Sequence, residues 1–380
     1  MRIRYFAAVI VLLLAACKKT ENPRQPLEQG DKSATVLPGD FFTVENIYVS
    51  GYIKNNSNQQ QATYWKNGVP VSIGVPAPLC EAHSIVVYGN DIYTGGSQIF
   101  SGGGTAPFHR LWKNGVEQPM GTAQGCLINA IAVSGSNTYA VGFNNILGTP
   151  HYLRYWVNGV ADFFVAGGSS ASDITISGSD IYIAGYTESS GRSTATVWKN
   201  KQLMPIETGN AINNSANAIN IAGTDVHVAG VQNTSNTISS QAVYWKNGVR
   251  TVLPVITVGG NYYASATDVV ASGANVYITG TYTPIGAISK VMLWRNGTPI
   301  EITNGSISSS GSAIALSANG YLYIAGRERS GGINRARLWK YDLNSGLITT
   351  IPLNGTDQNS DAYDIFIKTV KIVVDIDPGL

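Results

Sequence analysis

Charge is scarce in this chain of 380 residues, where Asp, Glu, Lys and Arg together make up 13%. Surface polarity must therefore come from Asn, Ser, Thr, Gln and Gly, which hydrogen-bond well but steer charged ligands poorly. Basic residues form no stripe and no polybasic helix, which excludes nucleic acid as a partner and any electrostatic hold on lipid headgroups. Residues 1–16 hold two of the 25 Lys and Arg and none of the 23 Asp and Glu, so 23 face 23 in the remainder. Histidine is scarce too: His83, His109, His151 and His227 fall into no metal-binding spacing. No metal and no cofactor are expected. A nucleophile elbow, a Ser/His/Asp order and a phosphate-cradling glycine loop are all missing. The one long apolar run, residues 5–14, is too short to span a bilayer.

That run has another use. Arg2 and Arg4 precede it and Leu14-Ala15-Ala16-Cys17 follows it, the pattern of a signal peptide over residues 1–16. The four closing residues resemble the lipobox of bacterial lipoproteins. The resemblance implies cleavage before Cys17, a diacylglycerol on its thiol and a membrane contact through that lipid. The alternative is an ordinary signal peptide with a chance cysteine. Lys18 stands where Asp retains enteric lipoproteins in the inner membrane, so the same resemblance implies the outer membrane of a bacterial envelope. Residues 17–37, rich in Lys, Glu, Gln, Asn and Pro, read as a flexible tether. Two cysteines remain, Cys80 and Cys126, each five residues before an Ile that opens a repeat. A disulfide is allowed in an oxidising compartment. Equivalent sites in adjacent units can also stand beyond the roughly 4.4–6.8 Å that a bridge spans, which leaves two buried thiols.

What the chain has in abundance is repetition. YWKNGV at residues 64–69 returns at 244–249, and looser copies surround every tryptophan: Trp65, Trp112, Trp156, Trp198, Trp245, Trp294 and Trp339. Their spacings are 47, 44, 42, 47, 49 and 45 residues, a period that marks a repeat architecture. Within a copy, Ile174 and Ile176 alternate with Thr175, and Ile181 and Ile183 with Tyr182. This period of two predicts strands. Ser-Gly-Ser-Asp between them is a tight turn, and Asn-Gly, which follows five of the seven Trp, is a two-residue hairpin signal. Each unit thus reads as four antiparallel strands, a to d, with no helix of useful length. Four strands repeated every 42–49 residues resemble a β-propeller. Leu338-Trp-Lys-Tyr-Asp-Leu-Asn-Ser-Gly346 is loosely kelch-like, and the Trp-Lys-Asn-Gly copies resemble uncharacterised secreted bacterial propellers. The expected fold is an all-β, seven-bladed propeller over residues 38–380. Residues 365–367 would supply the inner strand of the first blade; eight blades, completed by residues 34–37, is the alternative.

Strand polarity puts the short a–b and Asn-Gly turns at one end and the variable b–c and d–a loops at the other. Function usually sits on variable loops held by a rigid scaffold. Tyr52, Phe143, Tyr186 and Arg327 share one repeat column at the edge of that variable face. Aromatic faces with amide side chains suit a sugar or a peptide. The expectation is a monomeric, non-enzymatic envelope lipoprotein that binds a glycan or protein. The alternative is a polysaccharide-active hydrolase or lyase. For that, Asp173, Asp268 and Asp364 share a column at the start of strand a, beside the channel. Ser84, Ala130, Ala218 and Ala313 fill the same column elsewhere, which suits a cap on backbone amides as well as it suits chemistry. The tryptophans read as scaffold.

Overall fold

The alternation read from the sequence is realised as strands throughout. The computed structural model describes residues 41–373 apart from 101–105, 122–124, 145–150, 163–167, 235–238, 257–259, 354, 356 and 357. The leader, Cys17 and the tether lie outside the described residues. Residues 47–366 form one compact body. Residues 1–46 and 367–380 form a second, of which the strand ends 41–46 and 367–373 are described.

The 28 described strands make five four-stranded sheets and one of eight. The eight-stranded sheet is two a–d groups joined by a single parallel pair, Ser240 with Tyr263. One repeat shows the plan. Strands Ser169–Ser177, Asp180–Ser189, Arg192–Lys199 and Gln202–Met204 pair antiparallel in chain order. The first sheet breaks chain order: its a strand is the C-terminal Ser360–Val373, hydrogen-bonded to Phe41–Lys54 and followed by Gln60–Lys66 and Val69–Ser72. We call this repeat 1. The a strands Leu79–Tyr88, Cys126–Ser134, Ser169–Ser177, Ala211–Ala222, Tyr262–Ser272 and Ser308–Leu316 begin repeats 2 to 7.

The recurrent Trp-Lys-Asn-Gly has a physical task at each letter. Asn114 and Gly115 adopt φ of 51° and 80°, the left-handed pair a type I′ hairpin requires. The Asn114 side chain then accepts from the Ile92 amide at 2.9 Å and donates to Asp91 at 2.8 Å, tying the c–d hairpin to the a–b turn. Lys113 pairs with the same Asp91 at 2.8 Å. Repeats 4 and 5 repeat the staple with Lys199, Asn200 and Asp180, and with Lys246, Asn247 and Asp225. Trp112, Trp156, Trp198, Trp245, Trp294 and Trp339 each pack on the preceding sheet. Trp245 packs among Ala184 and Val197 of repeat 4 and donates its indole N–H to the Glu207 carbonyl at 2.6 Å. Trp294 does the same toward repeat 5, bonding the Pro254 carbonyl at 2.7 Å. The two cysteines are buried free thiols, and burial pushes both up in pKa.

Neighbouring a strands contact one another in order, and polar side chains stitch them together. Asn129 donates to the Ala171 carbonyl at 2.7 Å, Asn217 to the Ala266 carbonyl at 2.8 Å and Thr267 to the Gly311 carbonyl at 3.0 Å. Repeat 7 meets repeat 1 through the Ala336 amide, which donates to Ser360 Oγ at 3.0 Å.

Candidate functional site

Every a strand from repeat 2 to repeat 7 carries a bulge at the same place. In repeat 2 the register slips between Ala82 and Ser84, leaving His83 unpaired; in repeat 3 it slips around Asn129. Two residues before each bulge stands a column that four repeats fill with serine: Ser170, Ser215, Ser265 and Ser310. Repeat 2 places Glu81 there and repeat 1 places Asp361. These two carboxylates therefore stand on adjacent a strands, at the variable end of the body.

Around them a polar cluster forms from three repeats. Asp361 is 2% exposed and meets Arg327 Nη1 at 2.5 Å. Burial raises its pKa, Arg327 opposes that rise and Glu81 adds to it. Glu81 Oε2 lies 3.0 Å from His83 Nε2. The His83 ring meets Tyr363 edge-on at 5.2 Å, and Tyr52 lies 6.1 Å from Tyr363. Burial, then the charges of Glu81 and Asp361, hold the Tyr363 phenol protonated far above the ordinary range. Tyr52 is pushed up to about 12 by burial first, with Asp361 and Glu81 next. Such a set can position a positive charge at Arg327, keep a proton on a phenol and offer a carboxylate beside an imidazole.

The four-residue face read from the sequence divides in two. Tyr52 and Arg327 belong to the cluster just described. Phe143 and Tyr186 sit in another, on either side of His151: the Phe143 and His151 rings are 4.9 Å apart, and His151 Nδ1 is 3.4 Å from the Tyr186 hydroxyl. Two further histidines are packing groups. His227 Nδ1 lies 2.6 Å from the Tyr244 hydroxyl, and His109 stacks on Trp156 at 4.9 Å. His83 and His109 stand in strands Leu79–Tyr88 and Phe108–Lys113. Among the described residues, no group of three or more His, Cys, Asp or Glu is arranged to hold a metal ion.

Asp173, Asp268 and Asp364 have a shared geometry. Each carboxylate accepts from the amide of the next residue and reaches across to the following a strand. Asp173 takes the Ile219 amide at 2.8 Å, Asp268 the Ile314 amide at 2.7 Å and Asp364 the Ile85 amide at 2.8 Å. Asp364 also accepts from Ser84 Oγ at 2.9 Å. They are seam clamps between repeats 4 and 5, 6 and 7, and 1 and 2. Burial dominates their titration, raising Asp173 to about 6, Asp268 well up and Asp364 up, with mutual repulsion at the first two. An aspartate whose folded pKa exceeds its unfolded value stabilises fully below the unfolded pKa, and that contribution fades as pH rises through the folded one. The wild-type chain should therefore gain stability relative to Asp173→Asn as pH falls from 7 to 4, by about 3 kcal/mol at most. Thermal melts of both chains at fixed ionic strength measure this. A difference that stays flat, or grows with rising pH, contradicts it.

Sequence reading missed Glu81, Asp361 and Tyr363. The signal was present in the column three residues before the aspartates, where two acids interrupt a run of serines. It emerges only once the C-terminal strand is placed beside the N-terminal one.

No family model matches the chain, and no curated protein matches it in sequence. Solved structures do. A puromycin-hydrolyzing peptidase of Mycobacterium tuberculosis is similar over 81% of this chain at 9% identity with a TM-score of 0.51, and the match spans 52% of that peptidase. A thermostable family-43 glycoside hydrolase is similar over 61% of this chain and 94% of its own, at 10% identity and a TM-score of 0.40. An endo-arabinanase of family 43 from Bacillus licheniformis is similar over 58% and 95%, at 13% identity and a TM-score of 0.33. At such identities the likeness is one of fold, all-β with propeller-type sheets. This set does not favour the expected non-enzymatic binding module: hydrolases are among the solved proteins of like fold, and the likeness itself is one of fold alone.

Proposed function

We propose that this chain is a seven-bladed propeller enzyme that cleaves a polysaccharide, by hydrolysis or elimination, at the mouth formed by repeats 7, 1 and 2. The seven a–d groups are its blades, the first completed by the C-terminal strand. The observation that carries the reading is the convergence of Glu81, His83, Asp361, Tyr363 and Arg327 at one end of adjacent a strands. Glu81, with 13% of its side chain exposed, is the carboxylate able to meet a substrate. Tyr363 keeps its proton and orients the sugar as a hydrogen-bond donor without giving that proton up, so the departing oxygen is protonated by water. Asp361 is too enclosed to reach a substrate and acts through Arg327, whose side chain is 43% exposed. In hydrolysis Glu81 activates water; in elimination it removes a ring proton while Arg327 steadies the developing negative charge. The clamps Asp173, Asp268 and Asp364 hold the strands that present the cluster.

The test is turnover by the purified full chain on neutral and acidic polysaccharides. New reducing ends are followed beside the ultraviolet absorbance that only an unsaturated elimination product shows. Glu81→Gln should lower turnover about a hundredfold with the circular dichroism unchanged. Asp361→Asn should lower it about tenfold through a loosened Arg327. No product from any polysaccharide, or full turnover by Glu81→Gln, overturns the reading. We further propose anchoring to the bacterial outer membrane through Cys17. Intact mass of the protein purified from membranes should show diacylglycerol that Cys17→Ser lacks; an unlipidated mass excludes the anchor.

A further inference from the structure

Charge is thin over the whole chain but not in repeat 7. Its strands Tyr321–Ser330 and Ile333–Asp342 hold Arg327, Arg329, Arg335 and Arg337 against Glu328 and Asp342, with Asp361 of repeat 1 reaching Arg327. Glu328 is engaged by Arg337 at 2.7 Å. Register separates the others by face. Arg327 lies opposite Ser310 and Arg329 opposite Ser308 at the variable end of the sheet. There they line a pocket of about 200 Å³ with Ser309, Thr281 and Ser289.

The lining is all guanidinium and hydroxyl. Thr281 and Ser310 hydroxyls are 3.0 Å apart, and Thr283 Oγ1 donates to Ser289 Oγ at 2.8 Å. One hydroxyl proton of the Thr281–Ser310 pair, and that of Ser289, stay available to an acceptor in the pocket. Arg327 spends one N–H on Asp361 and keeps the rest of its fork. Arg329 is exposed and makes no ion pair among the described residues. Lys290 and Glu301 of repeat 6 neutralise each other at 2.8 Å. The pocket is smaller than the roughly 300–1,000 Å³ of sites that enclose a drug-sized ligand. It suits one charged substituent on one sugar.

We infer that this pocket is an anion subsite, taking the oxyanion of an acidic glycan beside the acid–base cluster, with Arg329 supplying the unspent charge and Arg327 joining the two sites. The inference rests on the glycan-active reading and names its substrate class: a polysaccharide bearing carboxylate or sulfate. A neutral glycan would leave Arg329 without a counter-charge.

Calorimetric titration of the full chain with three oligosaccharides tests it: an oligogalacturonate, a sulfated carrageenan oligosaccharide and an uncharged arabino-oligosaccharide. At least one acidic ligand should bind more tightly than the neutral one. Arg329→Gln should weaken that ligand about tenfold or more, as for loss of a charge-assisted bond, and added salt should weaken it further. The uronate and sulfate arms identify the oxyanion. Equal binding of all three, no binding of either acidic ligand, or an unaffected Arg329→Gln overturns the subsite. Its fate is separable from that of the proposed activity. Arg329-dependent binding without turnover keeps the subsite and ends the enzyme reading. Turnover of the neutral glycan by Arg329→Gln at the wild-type rate does the reverse.

Discussion

Gly185→Ala should destabilise the chain by about 4 kcal/mol or more, at the far end of what single substitutions do. Gly185 lies mid-strand, where alanine ordinarily improves on glycine. Here a Cβ would run into the carbonyl oxygen of Ser170, with Ala171 Cα only 3.0 Å away. The bulge that follows Ala171 turns that carbonyl toward strand b, so the methyl group has no rotamer and no exit. Relief requires the bulge to open, which shifts the Asp173 clamp and the seam to repeat 5. Gly178, in the a–b turn, is the internal control. It has a φ of 61° and nothing within 4 Å of a built Cβ, so Gly178→Ala should cost only about 1 kcal/mol for the left-handed backbone. Denaturant midpoints of the two variants measure the contrast. Equal losses would mean that the carbonyl yields easily and that the glycine is not required there.

Trp245→Ala should cost about 3–5 kcal/mol. The side chain is 0% exposed and lies against Val197 and Ala184 of the preceding sheet. Removing it opens a void between two sheets that other seam contacts hold apart, so the walls cannot collapse. It also strips the Glu207 carbonyl of its donor, a further loss of about 1 kcal/mol or more. Trp245→Phe separates the two effects, keeping most of the volume and forfeiting the bond, with an expected loss of about 1–2 kcal/mol. The midpoint should move with the denaturant slope unchanged. A loss below about 1 kcal/mol for the alanine variant would remove the tryptophans from the list of wedges between sheets.

The repeats were legible because they draw on the same chemistry: a Trp in all seven, an Asn-Gly hairpin after it in five and a turn acid meeting a lysine in three. Seven copies make the pattern stronger than any one strand, and pairing of residues 365–367 with the first sheet followed from counting hairpins. The cluster was illegible for the opposite reason. Glu81 and Asp361 stand 280 residues apart, and each departs from its column once. The bulge compounds this. An extra residue between Ala82 and Ser84 breaks strict alternation, so a period of two does not predict that His83 joins Glu81. Tyr52, Phe143, Tyr186 and Arg327 do form one column, as alignment implies. Their division into two groups depends on which ring partner each repeat offers, His151 for one pair and Asp361 with Tyr363 for the other.

Closure of the ring by its own last strand has a consequence for how the protein is made. Ribosomes deliver Tyr52 and Glu81 early, Arg327 late and Asp361 with Tyr363 last of all. Repeats 2 to 7 can form neighbour by neighbour as they emerge from synthesis or export, but the first sheet waits for residues 360–366. The acid–base cluster straddles that junction, so it comes into being only when the two ends of the chain meet. A chain cut before residue 360 would retain most of its sheets and lack the junction altogether. On the proposed reading, competence is thereby tied to that junction: an unsealed ring carries the scaffold of the site without its Asp361–Arg327 pair.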